Sequence, residues 1–130
     1  MWVTVERAIR VICVEDDEHD RQLIRDAVHG LDADLELRFA EDGPELLSYL
    51  KREGEFRDPR VFPLPDLIVL DLRLRRMDGA QVLVRLQQSA ATRDIPVVAL
   101  TGSATDAERA QVLELGARAV LRKPSDPTES

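Results

Sequence analysis

Pro65-Asp66-Leu67-Ile68-Val69-Leu70-Asp71 carries four apolar residues in one unbroken run, closed by a carboxylate. A short run without alternation is what a strand buried on both faces requires, and such strands belong to parallel sheets covered by helices. Residues 10–14, ending before Glu15-Asp16-Asp17, and residues 95–100, ending before Thr101-Gly102-Ser103, obey the same rule. Residues 35–40 alternate and residues 117–121 follow a helix stop at Gly116, so both are expected as strands.

Between these runs the period changes to that of a helix. Leu23, Ile24, Ala27, Val28 and Leu31 recur at three- and four-residue steps, and His29-Gly30 closes the segment. A second helix is expected from Pro44, burying Leu46, Leu47 and Leu50, and a third from Asp78-Gly79, burying Val82, Leu83 and Leu86. A fourth opens at Asp106, with Ala107, Ala110 and Leu113 inward and Val112 as a further candidate. Strand and helix in strict alternation predict an α/β fold, a three-layer doubly wound parallel sheet of five strands. Residues 53–65 contain Pro59, Pro63 and Pro65 and keep neither period, which predicts a long surface loop.

The 130 residues suit one domain, with its core over 10–124 and a polar tail over 125–130. Eighteen basic against 25 acidic residues give a net charge of −7, which opposes an electrostatic grip on a phosphate backbone, so nucleic acid is not expected as a direct partner. Cys13 sits inside an apolar run and reads as a small buried hydrophobe in a reduced compartment. No apolar stretch is long enough for a bilayer, and Met1-Trp2-Val3-Thr4-Val5-Glu6-Arg7 lacks the layout of a signal peptide, so a cytoplasmic protein without a membrane partner is expected.

Ligands of open parallel sheets collect at the carboxyl ends of the strands. At those ends stand Glu15-Asp16-Asp17, Asp71, Thr101-Gly102-Ser103 and Lys123-Pro124. Acids from two strands brought to one edge repel each other, a cost that a divalent cation removes. Oxygen-only ligands in a shallow acidic cleft suit magnesium, Mg2+, and no histidine or cysteine cluster competes for zinc. A lysine at the same edge neutralises phosphate oxygens and a threonine hydroxyl donates to one, so these are parts for phosphoryl transfer. Taken singly, Asp17 would serve as well as a helix cap, Thr101 as an ordinary strand-end hydroxyl and Lys123 as a surface lysine. Asp71 is different, because a carboxylate directly after four apolar strand residues is costly without a partner. Joint placement carries the reading.

By spacing, the chain resembles the receiver domains of bacterial response regulators, whose best-known member is the chemotaxis regulator. The likeness rests on Val14-Glu15-Asp16-Asp17, on Leu70-Asp71-Leu72 followed by Met77-Asp78-Gly79, on Thr101-Gly102 thirty residues beyond Asp71, and on Lys123-Pro124 a further twenty-two on. It covers residues 10–124. The resemblance implies strand order 2-1-3-4-5, Asp71 as phosphoacceptor from a histidine kinase or phosphotransfer protein, and Thr101 and Lys123 as holders of the phosphoryl oxygens. It also implies metal ligation by Asp16, Asp71 and the backbone carbonyl of Arg73, with Glu15 acting through a water, and a cis Lys123-Pro124 peptide. No enzyme activity on a separate substrate is implied, only self-catalysed gain and loss of the phosphoryl group. The loop before Pro65 looks like that of stand-alone receivers paired with phytochrome-type kinases.

The chain departs from the pattern in three places. Val120 stands where the family usually has Tyr or Phe, and Arg75, between Arg73 and Arg76, stands where proline is common. Residues 125–130 have no apolar period and supply no fifth helix, so the sheet surface beside the first helix is expected to be partly bare. A homodimer is expected through that region or through the neighbouring fourth-helix and fifth-strand face. The alternative to a phosphorylatable switch is a degenerate receiver that docks partners without phosphorylation. An aspartyl-phosphate phosphatase is disfavoured, because such enzymes place an aspartate two residues after the nucleophile and Arg73 stands there.

Overall fold

The computed structural model describes residues 8–31, 34–74 and 76–124. Five strands, β1 (Ile9–Val14), β2 (Leu35–Ala40), β3 (Leu67–Asp71), β4 (Val97–Thr101) and β5 (Ala119–Arg122), alternate with four helices, α1 (Glu18–His29), α2 (Gly43–Leu50), α3 (Gly79–Gln88) and α4 (Asp106–Glu114). The sheet order is β2-β1-β3-β4-β5 and every pairing is parallel. The α/β architecture and strand order match the expectation, with β4 beginning two residues late. Pro96 has no N–H for the ladder, so its carbonyl serves as acceptor to Ile68 and the strand proper starts after it.

Each helix is capped by a side-chain oxygen from the loop that follows a strand. Asp17, Asp42, Asp78 and Thr105 accept from the backbone N–H three residues on, and Asp78 with Gln81 completes a reciprocal capping box. The helix N-termini therefore crowd onto the same edge as Asp71.

The two faces of the sheet are unequally filled. On one, Ile12, Val14, Ile68, Leu70, Val97 and Ala99 pack against Leu46, Leu50, Val82, Leu83, Leu86 and Val112 of α2, α3 and α4. On the other, Cys13 and Leu100 meet Ile24 of α1, with Val28, Leu37 and Val69 partly buried. Beside α1 runs a groove of about 380 Å³ lined by apolar residues, among them Ile9, Val11, Leu31, Val69, Leu121 and Pro124. The groove lies on the face beside the first helix that the sequence reading singled out; residues 125–130 lie outside the described residues.

One expectation is corrected. In α4, Ala107, Ala110 and Leu113 face solvent and only Val112 is buried, because the apolar residues of this helix are scattered around its axis and the single deepest position sets its rotation. The 53–65 segment runs over the surface, as expected, and is anchored there. A 3₁₀ turn (Gly54–Phe56) brings Phe56 to Tyr49, Phe62 closes an edge-on ring cluster with both, and the Tyr49 hydroxyl donates to the Pro63 carbonyl at 2.7 Å.

Candidate functional site

The register of the central strands aligns the chemistry. Val14 sits beside Leu70, Asp71 beside Leu100 and Thr101 beside Arg122, so the residues that follow β1, β3, β4 and β5 meet at one edge. There, Glu15, Asp16, Asp17, Asp20, Asp71, Arg73, Gly102, Ser103 and Lys123 border an open cleft of about 450 Å³.

Lys123 is its centre. Its backbone N–H donates to the Thr101 carbonyl at 2.9 Å, which fixes the chain as it leaves β5. Its Nζ lies 2.7 Å from Glu15 Oε1, 2.7 Å from Asp20 Oδ2 and 3.0 Å from Asp71 Oδ2. Burial works against the charge on that ammonium, but hydrogen bonds to Asp20, Glu15 and Asp71 outweigh it and hold the group above its ordinary value.

Glu15 and Asp71 are both buried. Glu15 Oε2 accepts from the N–H groups of Asp16 and Asp17, and Asp71 Oδ1 accepts from the N–H of Arg73 at 2.9 Å. Burial, opposed by the hydrogen bond from Lys123 and reinforced by the charge of Asp71, pushes the Glu15 carboxyl up to about 7. The Cys13 thiol, buried two residues before Glu15, is pushed up to about 12 by burial and by the charges of Glu15 and Asp71.

Carboxylate oxygens of Glu15, Asp16 and Asp71 all lie within 4.8 Å of one another, the only such trio among the described residues. Three acids around one lysine leave an excess of negative charge, and a donor set made only of oxygen fits a hard divalent cation. Arg73 lines the cleft and its side chain is exposed. Thr101 is buried at the end of β4, and its hydroxyl donates to the Ser103 carbonyl at 2.8 Å. Thus the structure gathers Glu15, Asp16, Asp71, Arg73 and Lys123 around the cleft and keeps the Thr101 hydroxyl turned to the adjoining loop. Asp17 caps α1, the ordinary role allowed for it. The Lys123–Pro124 peptide is trans, where the resemblance implied cis. Arg76 pairs with Asp42 at 3.1 Å, outside the cleft, and Arg75 lies outside the described residues. Val120 packs as an aliphatic side chain against the larger core.

Gly79 holds the loop after β3. A Cβ there would stand 2.9 Å from the Leu72 Cα and 3.2 Å from the Asp71 carbonyl, so the absence of a side chain lets α3 start tight against the end of β3. Asp20 is the site residue that sequence reading passed over. Its place in the first turn of α1, just after the Asp17 cap, is what keeps it at the same edge.

Comparisons with known proteins agree with this geometry. The response regulator Rcp1 of Synechocystis sp. is 33% identical over 113 residues, covering 87% of this chain and 75% of Rcp1. The crystal structure of the Mn(2+)-bound form of Rcp1 superposes with a TM-score of 0.80 at 30% identity, over 93% of this chain and 85% of that one. That of the phosphorylated cyanobacterial phytochrome response regulator RcpA gives 0.81 at 30% identity, over 92% and 84%. The response regulator receiver domain profile matches residues 11–129, and the chain belongs to that family, the receiver domains of two-component signalling.

Proposed function

We propose that this receiver is a phosphorylation-operated switch in which Asp71 takes a phosphoryl group from the phosphohistidine of a sensor kinase or phosphotransfer protein. A carboxylate oxygen of Asp71 bonds to phosphorus as the P–N bond breaks, and the imidazole keeps the electron pair. The observation that carries the reading is the Asp71 carboxylate at the end of the central strand, 3% exposed and 3.0 Å from Lys123. Glu15, Asp16 and Asp71, with the Arg73 carbonyl, would hold Mg2+, which when bound supplies charge neutralisation at the phosphoryl oxygens. Lys123 balances the remaining charge, and Thr101 stands behind the cleft to donate to a phosphoryl oxygen once its hydroxyl turns from Ser103. Arg73 screens the acyl phosphate from the rim. Charge and packing changes around Asp71 then alter which protein is bound.

The chain is read as having no turnover on a separate substrate, as cytoplasmic, and as working through proteins rather than nucleic acid. No helix among the described residues is long and apolar enough to cross a membrane. Self-association is read to use the groove beside α1, where Ile9, Leu31 and Leu121 are 47%, 56% and 52% exposed. A concentration-dependent dimer in sedimentation, lost in Leu121→Asp, is expected; a monomer throughout contradicts it. A second reading, a docking module indifferent to phosphate, draws on Val120 in place of an aromatic ring. Incubation with Mg2+ and acetyl phosphate decides: one added phosphoryl in the intact mass, absent from Asp71→Asn, supports the switch, and no addition supports the docking module.

A further inference from the structure

A lysine ammonium has three protons to donate, and on Lys123 all three face carboxylates, at 2.7 Å from Glu15, 2.7 Å from Asp20 and 3.0 Å from Asp71. A phosphoryl oxygen can reach that ammonium only when one of them lets go. Glu15 is fixed, since its side chain is 1% exposed and its other oxygen is held by two backbone N–H groups. Asp71 is the acceptor itself. Asp20 differs from both. It stands in the first turn of α1 with its side chain 32% exposed, so water can replace Lys123 as its partner at little cost. It also lies outside the trio of Glu15, Asp16 and Asp71, so a cation held there leaves Asp20 balanced by Lys123 alone.

We propose that Asp20 is a positioning residue, a latch that holds Lys123 aimed at Asp71 while the acceptor is empty and yields it to the phosphoryl oxygens when Asp71 is loaded. The inference rests on the acceptor reading above. Because Asp20 and the phosphoryl oxygens compete for one ammonium, removing the Asp20 charge strengthens the loaded state. A side chain needed only to keep α1 in place would weaken it or leave it unchanged.

The test is the affinity of the full chain for beryllofluoride, a phosphoryl analogue that sits on an aspartate oxygen, titrated at saturating Mg2+. Asp20→Asn is expected to bind it about fivefold more tightly than the natural sequence, the scale of one partly exposed ion pair. Asp20→Glu, which keeps the charge, is expected to return to the natural affinity. Equal or weaker binding by Asp20→Asn, with the natural chain both binding the analogue and gaining a phosphoryl from acetyl phosphate, overturns the latch alone. Failure of the natural chain in both assays overturns the acceptor reading, and the latch with it.

Discussion

The α2–α4 face of the sheet and the α1 face are built from the same five strands and are filled to different depths. Under α2 and α3, Leu46 and Leu83 are wholly buried. Across the sheet, the one helix among the described residues that covers this face leaves Ile9, Leu31 and Leu121 about half exposed. The site draws on both sides. Asp71 and the loop after it are braced by α3 at Gly79, in the dense layer, whereas Asp20, which touches Lys123, rides on α1 in the thin one. Asp71 thus sits against the dense layer, while one of the three carboxylates on Lys123 comes from a helix whose only buried residue is Ile24.

The comparison breaks most readily at Leu83. Leu83→Ala leaves a cavity in the dense layer and is expected to cost about 2–5 kcal/mol of unfolding free energy in urea titrations; a loss no larger than that of a surface substitution would erase the distinction between the faces. Gly79→Ala forces a methyl against Leu72 and the Asp71 carbonyl, and about 1–3 kcal/mol of overpacking is expected, with slowed phosphoryl acceptance. Unchanged acceptance in that variant would detach α3 from the acceptor.

Charge sharpens the contrast further. The folded protein holds the Glu15 carboxyl at about 7 against an ordinary 4.5, so it keeps a proton that the unfolded chain gives up. Metal-free stability should therefore fall as pH rises from about 4.5 through 7. Glu15→Gln removes that slope, and Mg2+ reduces it by taking the proton's place. A flat profile in the natural sequence contradicts the burial argument. The smallest effect is expected at Leu121, where truncation to Ala on the thin face should change the stability of the dilute protein by no more than about 0.5 kcal/mol.

These contrasts bear on what could be seen in the residue order. β2 is found over Leu35–Ala40, as its alternation implied, and β1 and β3 differ from their apolar runs by one residue each, because burial on both faces writes an unambiguous signal. The edge carrying Glu15, Asp16, Asp71, Arg73 and Lys123 was legible for the same reason, since strand ends fix where polar residues must go. α4 was misread where its apolar residues offer two competing faces. The Tyr49, Phe56 and Phe62 cluster was missed because ring contacts across a proline-rich loop leave no period. Asp20 was hidden by Asp17, whose capping role explains the acids of that turn without any site.

The central claim is that Asp71 carries the phosphoryl group. The direct measurement is borohydride reduction of the protein after Mg2+ and acetyl phosphate, which turns an aspartyl phosphate into homoserine, followed by peptide mass mapping. The account predicts homoserine at position 71 and at no other acid; homoserine at Asp16, Asp20 or elsewhere, or none at all, contradicts it.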